Sequence, residues 1–131
     1  MSEKSYIAVK DVMTTSPIVI DGLANVAQAV DLMRESNVSS LVVNKRDESD
    51  EYGIVAVHDI AENVIANDRS PERVNVYEIM SKPVLSIDVG MNIKYAVRLL
   101  TRFKLTRALV LDQGRVAGIV TLRDLVYRSL G

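Results

Sequence analysis

The sequence predicts a mixed α/β (α+β) fold of two tandem strand–helix–strand–strand–helix repeats, packed sheet to sheet with pseudo-two-fold symmetry. Three observations predict it. The phrase "GIVAVHDI" at Gly53 to Ile60 returns as "GIVTLRDL" at Gly118 to Leu125. A shift of 67 positions carries Val12-Met13 onto Ile79-Met80, Ile20-Asp21 onto Ile87-Asp88, Asn25 onto Asn92 and Val43 onto Val110 without a gap. Finally, the apolar periodicity changes in the same order along both copies, from short run to helical stripe to paired runs.

Each repeat can be followed element by element. Ile18 to Ile20 and Val84 to Ile87 follow Pro17 and Pro83, as suits short strands that begin beside a proline. Val26, Ala29, Val30 and Met33 recur at i, i+3, i+4 and i+7, the stripe of an amphipathic helix, and Ile93, Ala96, Val97 and Leu100 repeat it. Asp21 and Asp88 fall in the polar turns before these helices. Leu41 to Val43 and Ala108 to Leu111 are continuous apolar runs, the pattern of strands buried on both faces. Gly53 to Val57 and Val116 to Leu122 supply the second strand of each hairpin. Ile60, Val64 and Ile65 mark one closing helix, and Leu122, Leu125, Val126 and Leu130 the other.

From Gly53 and Gly118 onward the shift falls to 65, so the first copy holds two extra residues. They lie in "NKRDESDEYG", a longer hairpin loop than "DQGR" around Gly114. The repeats span residues 10–67 and 77–131, joined by a polar linker over 68–76 that holds Pro71. Neither copy alone would bury its sheet comfortably, so the two are expected to fold as one module.

Composition bounds the function. Apolar residues make up 48% and charged residues 25% of the 131, an ordinary globular balance. A net charge of −1 gives no reason to expect nucleic acid or a membrane surface as a bulk partner. Without cysteine there is neither a disulfide framework nor a thiolate metal site. No run of 18 apolar residues occurs and Met1 to Lys10 lacks a signal-peptide stretch, so a cytoplasmic protein is expected. The charge is unevenly divided: residues 1–76 hold 7 basic and 13 acidic side chains, residues 77–131 hold 9 and 4. An anion is more at home in the second half.

The repeated aspartates admit two readings. In Thr121-Leu-Arg-Asp124, a threonine is followed three residues later by an acid at the start of a helix, which is a capping-box pattern worth about 1 kcal/mol. Alternatively, the Asp124 carboxylate accepts both vicinal hydroxyls of a ribose, two donors meeting two acceptor oxygens. Thr121 and the open amides of the helix start would then lie near phosphate oxygens. In the first copy the threonine is replaced by Ala56 while Asp59 stays. An aspartate kept without its capping partner is less easily explained by capping alone.

The ordered set of marks resembles the CBS-domain pair, or Bateman module: "VM" before "TTSPIVI", "IM" before "SKPVLSI", the spacing from "AVDLM" to "SSLVV", and both G-h-h-x-x-x-D phrases. It covers about Lys10 to Leu130. The resemblance implies a regulatory module that binds adenine-containing ligands, commonly AMP, ADP or ATP and in some members S-adenosylmethionine or NAD. It also implies clefts that mix the two copies, and pairing of modules into homodimers. Carried over, the first site joins Thr121, Arg123 and Asp124 to Thr15, Pro17, Ile18, Val38, Ser39 and Ser40. Ile18 and Val38 would wall the base, with backbone groups near Ile18 and Ser39 on its edge. The second site joins His58 and Asp59 to Lys82, Pro83, Val84, Leu105, Thr106 and Arg107, with Lys82 and Arg107 as phosphate holders. The first site is favoured for a mononucleotide, with Arg123 as its phosphate candidate.

Other chemistry finds little support. His58 is the only histidine, with no partners at metal-ligand spacing, and no Walker, dinucleotide or nucleophile-elbow phrase occurs. No catalytic residues, metal or catalytic cofactor are expected. Lys94, Arg98 and Arg102 form a basic ridge on the second long helix, where the first copy has Ala27, Asp31 and Glu35. Such ridges usually face solvent; facing one another between subunits, they would favour a head-to-tail dimer. The expected function is an adenine-nucleotide sensor, AMP first, that acts by conformational change on a separate effector protein. A ligand-free interaction module is the alternative.

Overall fold

A computed structural model of the chain describes residues 6–82 and 84–131. In chain order the elements are β1 (Thr14–Thr15), β2 (Val19–Ile20), α1 (Val26–Ser36), β3 (Ser40–Val43), β4 (Gly53–Ala56) and α2 (Val57–Ile60). They continue with β5 (Ser86–Asp88), α3 (Ile93–Arg102), β6 (Arg107–Asp112), β7 (Arg115–Thr121) and α4 (Leu122–Ser129). The predicted mixed α/β repeat is therefore present twice. The chain divides into two compact units: unit 1 joins the segment ending at Pro17 to Leu85–Gly131, and unit 2 is Ile18–Val84.

In unit 2 the strand order is β2-β3-β4, parallel for β2 with β3 and antiparallel for the β3–β4 hairpin. Parallel neighbours need a crossover connection, and α1 supplies it. It begins at a reciprocal cap in which Asn25 accepts the Gln28 amide and Gln28 accepts the Asn25 amide, both at 2.8 Å. It ends at Asn37 in the left-handed conformation. Its buried face is Val26, Ala29 and Met33, with Val30 packed beside them, as the spacing predicts. The aspartate turn before it forms as expected, Asp21 accepting the Leu23 amide at 2.8 Å.

Unit 1 repeats the plan with one more strand, in the order β1-β7-β6-β5. Ile93, Ala96 and Leu100 of α3 pack on Ala108, Val110 and Val120 of the hairpin. Asn92 caps α3 by accepting the Lys94 amide at 2.9 Å. In unit 2 the place of β1 is taken by a single bridge, Ser81 to Ile54.

The segments that enter the repeats are exchanged relative to sequence order. Val9 lies in the core of unit 1, and Val74, Val76 and Ile79 lie in the core of unit 2. Residues 68–76, polar enough to suggest a linker, carry Val74 and Val76 fully into that core. Two bonds hold them there, from the Val26 amide to the Val74 carbonyl and from the Val76 amide to the Ala24 carbonyl, each 2.8 Å.

The glycines of the repeated phrase follow from this exchange. A side chain at Gly118 would run into the Thr14 carbonyl oxygen and the Met13 sulfur. One at Gly53 would stand 2.9 Å from the Met80 sulfur and 3.1 Å from the Ser81 carbonyl oxygen. In both units glycine lets the entering segment cross close to the hairpin.

The closing helices depart from the apolar pattern. Ile60 and Val64 are buried but Ile65 is 64% exposed, on a wider π-type turn over Ala61–Ile65. In α4 only Leu125 is fully buried, while Val126 and Tyr127, and Leu130 just beyond the helix, face outward.

Candidate functional site

The end of the unit 1 hairpin, where β7 passes into α4, gathers six of the predicted residues. Thr121 caps α4, its hydroxyl accepting the Asp124 amide at 3.1 Å. Arg107, the first residue of β6, is the cross-strand partner of Thr121, so the two side chains stand on the same face. The Thr106 carbonyl accepts the Leu122 amide at 2.8 Å, which ties the entry of β6 to the start of the helix. Arg123 is exposed and rests over the Tyr127 ring at 5.9 Å. Leu105 leads into this corner and is partly exposed.

Asp124 is half-buried, and among the described residues no group donates a hydrogen bond to its carboxylate. No ion pair to Arg107 or Arg123 forms among the described residues either. An ionised carboxylate has about four acceptor positions, and no donor among the described residues fills them, while Arg107 and Arg123 belong to the same end of the hairpin. Such a corner can accept hydroxyls and hold an anion together. Thr15 lies in the same sheet, paired with Gly118 in the middle of β7, three residues before Thr121. Pro17 ends the same entering segment after Ser16, whose φ is 53°.

Unit 2 forms the equivalent corner with different chemistry. Ser40 is opposite Ala56, and the Ser39 carbonyl accepts the Val57 amide at 3.0 Å. The Ile18 carbonyl accepts the Val42 amide at 2.9 Å, which sets Ile18 alongside β3, and Ile18 and Val38 both pack against the core of unit 2. A groove of about 520 Å³ opens beside Val38 and Ser39, walled by Met33, Val57 and Ile60. Here the aspartate is used by the fold: the Asp59 carboxylate accepts the Ala56 amide at 2.8 Å. His58 is likewise engaged, its Nε2 lying 2.9 Å from Glu62.

The remaining residues of the second predicted set lie elsewhere in unit 2. Ser81 bridges Ile54 near the start of β4, whereas Asp59 follows its end, so Lys82 and Asp59 are not brought together. Lys82 is instead held 2.5 Å from Asp50 of the β3–β4 loop. Val84 is half-buried just beyond. Pro83 lies outside the described residues. Asp50 also accepts the Arg46 amide at 2.8 Å. Lys82 first, then the Arg46 and Glu51 amides, hold its carboxyl far below the usual carboxylate range.

Sequence reasoning missed Asp50, and assigned Arg107 away from Thr121. The only signal for the first was the extra loop length, and for the second the strand register. Among the described residues no cluster of three or more histidine and carboxylate side chains is arranged to hold a metal ion. No helix among them is long and apolar enough to cross a membrane.

Comparison with known proteins is consistent along the chain. The family model for the CBS domain matches residues 9–66 and again 76–131. An uncharacterized protein of Methanopyrus kandleri is 32% identical over 122 residues, covering 92% of this chain and 59% of its own length. The CBS domain-containing protein YhcV of Bacillus subtilis is 28% identical over 123 residues, covering 94% of this chain and 86% of its own. Among solved structures, a hexameric CBS-CP12 protein from bloom-forming cyanobacteria superposes with a TM-score of 0.89 at 35% identity, over 94% of this chain and 71% of that one. The chain spans about three fifths of the first curated relatives it matches, those from Methanopyrus kandleri and Methanocaldococcus jannaschii. The duplicated phrase, the two sheets and these matches have one reading: the chain belongs to the CBS-domain family and carries a tandem pair of CBS domains.

Proposed function

We propose that this CBS pair is a regulatory, non-catalytic module that binds an adenine nucleotide, AMP first and ADP or ATP as close relatives. The observation that carries the reading is the open carboxylate of Asp124. The fold fixes its amide through Thr121 and leaves its oxygens without a donor among the described residues. In this proposal Asp124 accepts the ribose hydroxyls, and the phosphate takes Arg123 and the amides at the start of α4. Arg107, across from Thr121, adds a second forked donor within reach of the same corner. The base is assigned to the apolar and backbone groups of Ile18, Val38, Ser39 and Ser40. Asp59, already occupied by the Ala56 amide, ranks second as a ribose acceptor. S-adenosylmethionine and NAD are the competing ligands.

The output is a conformational shift passed to an effector protein, since a ligand biases an equilibrium only through its differential affinity for the two states. Self-association as a homodimer is part of the proposal. Lys94, Arg98 and Arg102 are all exposed on α3, and Asp31 and Glu35 on α1, where Asp31 also lies 4.0 Å from Arg34; in this proposal the ridges of opposite sign meet between copies.

A thermal-shift series with AMP, ADP, ATP, S-adenosylmethionine and NAD tests the ligand. A ligand at 100 times its dissociation constant stabilises the native state by about 2.7 kcal/mol. A rise in Tm with AMP that Asp124→Ala abolishes is the expected result. No rise with any adenine compound at millimolar concentration would refute the nucleotide reading and leave the interaction module.

A further inference from the structure

Unit 2 carries a second concave site, away from the Ser39–Asp59 corner. It is a groove of about 820 Å³ at the ends of β2 and β3, within the size range of small-ligand pockets. Leu23, Tyr77 and Met80 give it an apolar floor, and Lys45, Arg46 and Lys82 supply three cations at its rim. Lys45 reaches over the Tyr52 ring at 5.1 Å. Leu23 and Tyr77 are largely exposed, although both are large and apolar enough to be worth covering.

Two of the three cations already hold an anion, supplied by the chain itself. Asp50 is met by Lys82 Nζ at 2.5 Å and by Arg46 Nε at 3.3 Å, and its side chain is only 9% exposed. Around the groove, Lys45, Arg46 and Lys82 outnumber the acids Asp21 and Asp50. Asp21, the acid in the lining, is spent on the Leu23 amide. The fold itself does not require this cluster, because the other repeat is built without it. At the positions of Leu23, Tyr77 and Lys82 it has Gly90, Lys10 and Thr15, and Lys45 is replaced by Asp112. Its hairpin closes tightly through Asp112 and Arg115, with no counterpart of the longer loop that delivers Asp50.

We propose that this groove binds an organic anion that joins an aromatic body to a phosphate or carboxylate group. The aromatic body would lie on Leu23, Tyr77 and Met80, and the acidic group would take the seat that Asp50 fills between Arg46 and Lys82. Asp50 is then an internal competitor, and binding releases the β3–β4 loop from Lys82. This site is separate from the proposed nucleotide corner and stands without it.

The test is a titration of the ¹⁵N-labelled full chain with phenyl phosphate, followed by amide shifts. Saturable shifts are expected at Leu23, Lys45 and Tyr77. Asp50→Asn should bind at least tenfold more tightly and Lys82→Met at least tenfold more weakly. Lys45→Met leaves the Asp50–Lys82 pair intact and should weaken binding at least threefold, which keeps the test decisive if the Asp50 variant does not fold. Inorganic phosphate should bind at least tenfold more weakly than phenyl phosphate, and Asp124→Ala should change nothing. Affinity that Asp50→Asn fails to raise in a folded protein, or that Lys82→Met fails to lower, overturns the proposal. So does a response confined to amides outside the groove.

Discussion

The Asp59 carboxylate accepts the amide of Ala56 at 2.8 Å, whereas at the equivalent helix start the Thr121 hydroxyl accepts the amide of Asp124. A capping box has two halves, and each repeat uses a different one. The aspartate that persists without a threonine is therefore the one employed in capping. The aspartate that has a threonine is the one left open. Asp59→Ala should lower stability by about 1 kcal/mol, and Thr121→Ala by a similar amount. Asp124→Ala should cost less than about 0.5 kcal/mol, as for surface changes away from special contacts. Chemical unfolding of the three variants checks the order; equal losses for Asp59→Ala and Asp124→Ala would contradict it.

Gly118→Ala is expected to destabilise by about 1–3 kcal/mol, because a methyl group there meets the Thr14 carbonyl oxygen, which can move only with its strand. Gly53→Ala should cost less, since its nearest neighbour is the Met80 sulfur at the flexible end of a side chain. Removing the sulfur contact by Met13→Ala should not rescue Gly118→Ala.

These glycines, the duplicated phrase and the helical stripes were all legible in the sequence, because each is a local pattern with a fixed period. Val26, Ala29 and Met33 are buried as their spacing requires. The exchange of the entering segments was not legible. Val74 and Val76 sit among polar neighbours, and only the bonds to Ala24 and Val26 reveal that they belong to a core. The candidate site was legible as a set of residue types, and less so as an arrangement. Thr-x-x-Asp does not say which half of the box will form. The pairing of Arg107 with Thr121 depends on strand register, and the capture of Lys82 depends on a loop folding back around Asp50.

Acid should loosen the β3–β4 loop. The Lys82 ammonium and the Arg46 and Glu51 amides lower the pKa of Asp50 in the folded protein. A depressed folded pKa gives stability that is fully present above the unfolded value of about 3.9 and is lost as pH falls through the folded value. Asp50→Asn should therefore be less stable than the parent at pH 7, and the difference should shrink steadily below about pH 4. Urea unfolding at a series of pH values measures this. A difference that grows on acidification would contradict the assignment.

Self-association should depend on charge. Arg98→Glu with Arg102→Glu should weaken it, and raised salt should weaken it in the parent as Debye screening shortens the reach of exposed charges. Sedimentation across a salt series, with Asp31→Arg and Glu35→Arg as the complementary change, provides the check. Mixing the two reversed proteins should restore association. Failure of the mixture to associate, with each variant folded, would rule out opposed ridges.

In the proposed function Asp124, and not Asp59, is the first ribose acceptor. Calorimetric titration of AMP into the parent, Asp124→Ala and Asp59→Ala proteins tests it most directly. Measurable binding is expected in the parent, with loss of at least tenfold in affinity for Asp124→Ala and a change of less than threefold for folded Asp59→Ala. Binding that survives Asp124→Ala unchanged, or that is lost only in Asp59→Ala, would contradict it.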